Sequence, residues 1–157
     1  MRQEAAAVLE PLRQRVLAPE RLAAGDGATC ELPAAFESVR EARRFTRTTL
    51  QHWDLSALRE SMELVASELV TNALRYGVPV GSPGRPVRLS IVRWTSRVVC
   101  AVRDPSPVGP VPKDPDFVAE TGRGLHLVES FSEGWGWFPL TGAGKVVWAL
   151  FLAAERR

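Results

Sequence analysis

The sequence predicts an α+β fold, a two-layer sandwich in which a mixed, mainly antiparallel sheet carries helices on one face. Three observations predict it. Two consecutive stretches with helical spacing, 38–53 and 56–77, follow a short β-rich run at 28–32. Four further β-rich runs come in adjacent pairs, 87–94 with 98–102 and 134–140 with 145–152, as antiparallel hairpins do. Helices grouped with helices and strands with strands argue against a doubly wound sheet, in which the two would alternate.

Each element has its own signal. Good helix formers fill residues 3–17, where Val8, Leu9, Leu12, Val16 and Leu17 share a face and Pro11 should interrupt it. This predicts a short docking helix or a frayed tail, an N-terminal extension (1–27) preceding a domain at 28–157. Gly25, Asp26 and Gly27 break the chain, and 28–32 forms an edge strand before Pro33. Over 38–53, Val39, Ala42, Phe45, Thr49, Leu50 and Trp53 recur at helical period, with Arg and Glu opposite. Ser56, with Glu60 behind it, starts a second helix that stops at Gly77 before Pro79. After the first hairpin, five prolines in 105–115 exclude helix and central strand alike, leaving a stiff extended loop. A Gly-rich turn at Gly122 then leads into a short helix to Phe131, with Thr121 as its cap. The last hairpin turns at TGAG and offers Trp135, Trp137 and Trp148 as core or cross-strand aromatics.

At 157 residues, 45% hydrophobic and net charge +2, the chain suits one domain with a sizeable core. No run is long enough to cross a bilayer, and MRQEAAAVLEPLRQ lacks the apolar core of a signal peptide. No basic stripe with interleaved aromatics suggests nucleic acid. Cys30 and Cys100 sit in separate strand-like runs, which favours two reduced core thiols in a cytoplasmic protein.

The stretch Glu68–Gly77, ELVTNALRYG, carries the sharpest chemistry. At about 100° per residue, Glu68, Asn72 and Arg75 fall on one stripe of an otherwise apolar helix. A carboxylate, an amide and a guanidinium together suit a charged ligand and its metal: a base, a hard oxygen and a phosphate contact. A solvated helix face is the plain alternative. Gly122, Arg123 and Gly124 at a helix start suit an anion, although glycines also serve ordinary turns. Other nucleotide motifs fail. TGAGKVV is no P-loop, because Pro139 replaces its first glycine and Val146 its Ser or Thr; at Gly122, Leu127 replaces the last glycine of a dinucleotide fingerprint. His52 and His126 have no acid and nucleophile at readable spacing and are expected to be structural.

Three pieces in order, ELVTNALRYG on a helix, Asp104 at a strand end and ETGRGLHLV after a loop, resemble the GHKL ATPase superfamily with its Bergerat ATP-binding fold. Within it, the chain looks most like small anti-sigma-factor serine/threonine kinases that act by partner switching. The resemblance covers roughly 28–152 and implies ATP and Mg²⁺ as cofactors. By it, Glu68 would be the general base, Asn72 would coordinate Mg²⁺, and Arg75 would match a basic position that contacts phosphate in some relatives. Asp104 would accept a hydrogen bond from the adenine amine, Gly122, Arg123, Gly124 and Leu125 would cover the phosphates, and the proline loop would be the lid. The implied partners are a sigma factor and an anti-sigma-antagonist protein, with a homodimer as an expected state. A histidine kinase is disfavoured, since no helical hairpin with a phosphoacceptor histidine precedes the domain.

The sequence also departs from the family. D-x-G-x-G becomes DPSPV, with Ser106 and Val108 in place of glycines, which supports the alternative of a non-catalytic partner-binding regulator with weak or no nucleotide binding. Lys145 stands where many relatives have Thr. A hairpin-turn lysine in solvent is the expectation, with phosphate contact as the other reading.

Overall fold

Five strands form one sheet in the order β1-β2-β3-β5-β4: β1 (Gly27–Leu32), β2 (Val87–Trp94), β3 (Arg97–Asp104), β4 (Gly134–Pro139) and β5 (Lys145–Leu152). Every described pairing is antiparallel. The structure is a computed structural model that describes residues 11–79, 81–110, 120–142 and 144–153. Helix α1 covers residues 11–17, followed by α2 (Glu37–His52), α3 (Arg59–Asn72) and α4 (Glu120–Phe131). Both expected hairpins form, and β1 is an edge strand as its short run predicts.

Two-residue periodicity builds a core on each side of the sheet. In β5, Val147, Ala149 and Phe151 face α2, α3 and α4, while Val146, Trp148 and Leu150 face the other way. The helical side holds the larger core. Met62, Val65, Ala66, Leu69 and Val70 of α3 meet Leu89, Ile91, Cys100 and Val102 of the central strands. Cys30 and Cys100 are free thiols, and burial pushes the Cys100 thiol up to about 12.

The second face is not bare. Leu12 and Val16 of α1 pack with Val92, Val99, Ala101 and Trp148. The Arg13 guanidinium stacks 4.8 Å from the centre of Phe138, and Arg15 lies 5.7 Å from Trp94. Of the two readings of this segment, the docked helix describes residues 11–17.

The start of α3 differs from expectation. Ser56 opens a 3₁₀ turn, Ser56–Leu58, and α3 begins only at Arg59. Within α2, Ser38 is buried and its hydroxyl donates to the Pro33 carbonyl at 2.6 Å.

Leu12 is fully buried, so Leu12→Ala should destabilise the protein by about 2–5 kcal/mol in urea unfolding. A loss below about 0.5 kcal/mol, the usual range for surface substitutions, would mean that α1 is not docked in solution.

Candidate functional site

The β3–β5 register sets Asp104 directly opposite Lys145, forty-one residues later in the chain. Opposed residues of an antiparallel pair project to one face, here the face that α3 and α4 cover. Both are almost fully buried, at 3% and 4% exposure. Lys145 Nζ lies 3.0 Å from Asp104 Oδ1 and also donates to the Ser106 carbonyl at 3.3 Å. The Ser106 N–H donates to the same Oδ1 at 2.8 Å, and the Val108 N–H donates to Ser106 Oγ at 3.2 Å. Charges in so dry a place are tolerated only when paired. The expectation of a solvent-facing Lys145 is therefore corrected: strand register carries it into the core beside a carboxylate.

Glycines make room for this pair. A Cβ built on Gly77 would stand 2.5 and 2.6 Å from the two carboxylate oxygens of Asp104. At Gly144, with φ +97°, it would stand 2.5 Å from the Asp104 carbonyl oxygen.

The opposing wall comes from α3. Its α-helical geometry ends at Asn72, and one π-helical turn, Ala73–Gly77, carries the chain to Gly77 and onto Asp104. Single π turns concentrate at functional sites because they re-aim side chains. The uniform 100° step assumed across Glu68, Asn72 and Arg75 thus holds only as far as Asn72.

Between α3, α4 and the sheet lies a cavity of about 270 Å³. Leu69, Ala73, Val102, Leu125 and Val147 make its walls apolar, and Asn72, Asp104 and Lys145 bring the polar groups. Tyr76, Val108, Gly109 and Pro110 complete the lining, with Tyr76 and Val108 largely exposed. A mostly apolar cleft with a few convergent polar groups, near the lower end of the roughly 300–1,000 Å³ of ligand pockets, is what small-molecule sites look like.

Asn72, Asp104 and Leu125, all predicted from sequence, are brought together here. Glu68 is half-buried one turn before Asn72, outside the lining; burial raises its carboxyl pKa, opposed by the nearby Arg75 and Arg43. Arg75 is exposed. Gly122, Arg123 and Gly124 do not precede α4 but lie within it, since it begins at Glu120; Thr121 is inside the helix and is not its cap. Buried Leu125 and Val128, packed in the core with α3, fix the helical register through this segment. The expected lid, residues 111–119, lies outside the described residues. Among the described residues no group of three His, Cys, Asp or Glu gathers to hold a metal. A Mg²⁺ that keeps its waters and binds phosphates needs no such cage, so Asn72 as a single protein oxygen fits it. Missed from sequence were Lys145 as a buried residue and Tyr76 as a lining residue.

A family model for the histidine kinase-like ATPase domain matches residues 32–150. The chain belongs to that family. Among solved structures, this ATPase-family domain superposes on the RsbU and RsbW domains of Rv1364c from Mycobacterium tuberculosis with TM-score 0.63 and 15% identity, covering 83% of this chain and 33% of that one. The chain thus spans about a third of that protein. It superposes on a chain of the SiaB–SiaC complex from Pseudomonas aeruginosa with TM-score 0.61 and 12% identity, covering 93% of this chain and 99% of that one. No curated protein sequence matches significantly. These likenesses place the chain in the GHKL fold. Among the described residues no helix is long and apolar enough to cross a membrane.

Lys145→Met would leave Asp104 buried and unpaired, and should cost about 3–5 kcal/mol in urea unfolding. Adding Asp104→Leu should recover most of that loss. A cost under about 1 kcal/mol for the single variant, typical of exposed pairs, would contradict the buried geometry.

Proposed function

We propose that this domain binds ATP with Mg²⁺ and transfers the γ-phosphoryl group to a serine of an anti-sigma-antagonist protein, while in another state it sequesters a sigma factor in the cytoplasm. The observation that carries the reading is the convergence of Asn72, Asp104 and Leu125 on one apolar cavity. The base of the nucleotide would enter between Leu69, Val102, Leu125 and Val147, with Asp104 accepting from its amine. Asn72 would hold the metal, which neutralises charge on the phosphates. Gly122 falls in the first turn of α4, whose opening N–H groups lack intrahelical partners and would meet phosphate oxygens; Arg123 and Gly124 follow it in the helix, and Arg75 would add a further cation.

Phosphoryl transfer asks the protein mainly for positioning and electrostatic support. As the serine Oγ bonds to the γ-phosphorus and the bond to ADP breaks, Glu68 takes the hydroxyl proton. Its raised pKa suits a base working near neutral pH, because a more basic carboxylate holds that proton better. A protein partner is supported by the likeness to SiaB, solved in complex with SiaC. The segment before β1 would add surface for a homodimer, and 28–157 would be the ATPase domain.

A second reading is favoured by one observation. Asp104 Oδ1 and the Ser106 backbone are engaged within the protein itself, as in a module that regulates by docking with weak or no nucleotide binding. Calorimetry with ATP and Mg²⁺ separates the two: absence of binding leaves only docking.

Transfer of radiolabel from ATP to a cognate antagonist should fall about 10²–10⁴-fold in Glu68→Gln, with ATP affinity retained. Full transfer by the variant would remove Glu68 from the chemistry. The base must be ionised, so the wild-type rate should be lost as pH falls through the raised pKa of Glu68, above the ordinary value of 4.5. An acid limb at or below 4.5, or one unchanged in Glu68→Gln, would argue that Glu68 is not the titrating base.

A further inference from the structure

Lys145 changes what the cavity floor can recognise. A lone buried carboxylate accepts hydrogen bonds only, so it would select a base that donates, and a carbonyl oxygen set against it would be repelled. Here Asp104 does not stand alone. Among the described residues its hydrogen bonds fall on Oδ1, from Lys145 and the Ser106 N–H, which leaves Oδ2 as an acceptor. Lys145 Nζ carries three N–H donors; Asp104 Oδ1 and the Ser106 carbonyl take two, and the third has no acceptor among the described residues. Both side chains line the cavity, and their exposure is 3% and 6%. The floor therefore presents an acceptor and a donor side by side on a rigid strand pair.

Such a couple reads a two-point edge. Adenine offers an acceptor at N7 next to a donor at its 6-amino group. Guanine and hypoxanthine offer the same order one ring position further on, an acceptor at the 6-carbonyl next to a donor at N1. Each edge satisfies one acceptor and one donor, and a shift of the ring by one position exchanges the first edge for the second in a slot whose walls are apolar and unselective.

Resting on the nucleotide reading above, we propose that Lys145 is a base-selecting residue that admits 6-oxopurine nucleotides to this pocket alongside ATP. The buried Asp104–Lys145 couple makes the site one for purine nucleotides rather than for adenine alone. The ammonium also anchors the Asp104–Ser106 turn, so it is positioned before any ligand arrives.

Calorimetric titration of the wild-type chain with ATP, GTP and ITP, each with Mg²⁺, tests this without any variant. GTP and ITP should bind within about tenfold of ATP, whereas a site that leaves a buried acceptor without its donor discriminates by roughly 10⁴-fold. Lys145→Thr, checked for folding by circular dichroism, should shift the preference toward ATP by about tenfold or more. ATP binding with GTP and ITP each weaker by about 10²-fold or more would overturn the inference and leave the nucleotide reading intact. GTP binding without ITP binding would also overturn it, because the 2-amino group, not the carbonyl, would then be the recognised feature. An unchanged ratio in a folded Lys145→Thr would do the same. No binding of any of the three would remove the nucleotide reading itself.

Discussion

The ion pair between Asp104 and Lys145 is the constraint around which the rest of the pocket is arranged. Two opposite charges at 3.0 Å, both nearly sealed from water, survive only if neither is separated from the other. Close approach on every side follows from that. Gly77 and Gly144 sit where any side chain would strike Asp104, and the Ser106 N–H and carbonyl are turned toward the two charged ends. The π turn at Ala73–Gly77 brings the end of the helix onto the same carboxylate. Three segments distant in sequence thus meet at one polar point in an apolar core.

That point lies where it does because of alternation along the strands. Val102 and Asp104, with Val147 and Lys145 opposite, take the helix-facing positions of β3 and β5. The next residues over, Ala101, Val146 and Trp148, belong to the second core, under α1. A shift of one residue in the β3–β5 pairing would place the charges on the wrong side of the sheet and expose the cavity wall. The apolar packing of both faces therefore also fixes the site.

Much of this was legible in the sequence. The grouped periodicities gave the layer order and both hairpins, and the helix motif led to Asn72, as the strand end led to Asp104 and the glycine-rich segment to Leu125. What escaped depended on contacts between distant residues. Lys145 reads as a turn lysine because nothing nearby reveals that Asp104 faces it across the register. Tyr76 escaped because a constant helical step cannot anticipate a π turn. The start of α4 escaped because buried Leu125 and Val128 extend the helix through glycines that, taken alone, mark a turn. The helix at 11–17 was undecided because a lone amphipathic stretch does not reveal the second apolar face, with Val92, Val99 and Trp148, on which it docks.

Membership of the histidine kinase-like ATPase family and the shape of this cavity support the central proposal, that the Asp104–Lys145 couple is the floor of a purine nucleotide site. The most direct measurement is a crystal structure of the chain with Mg²⁺ and a non-hydrolysable ATP analogue. The account predicts the purine ring between Leu69, Val102 and Leu125, with ring or exocyclic polar atoms within hydrogen-bond distance of Asp104 Oδ2 and Lys145 Nζ. A nucleotide bound elsewhere on the surface, with the couple still facing an empty cleft, would contradict it.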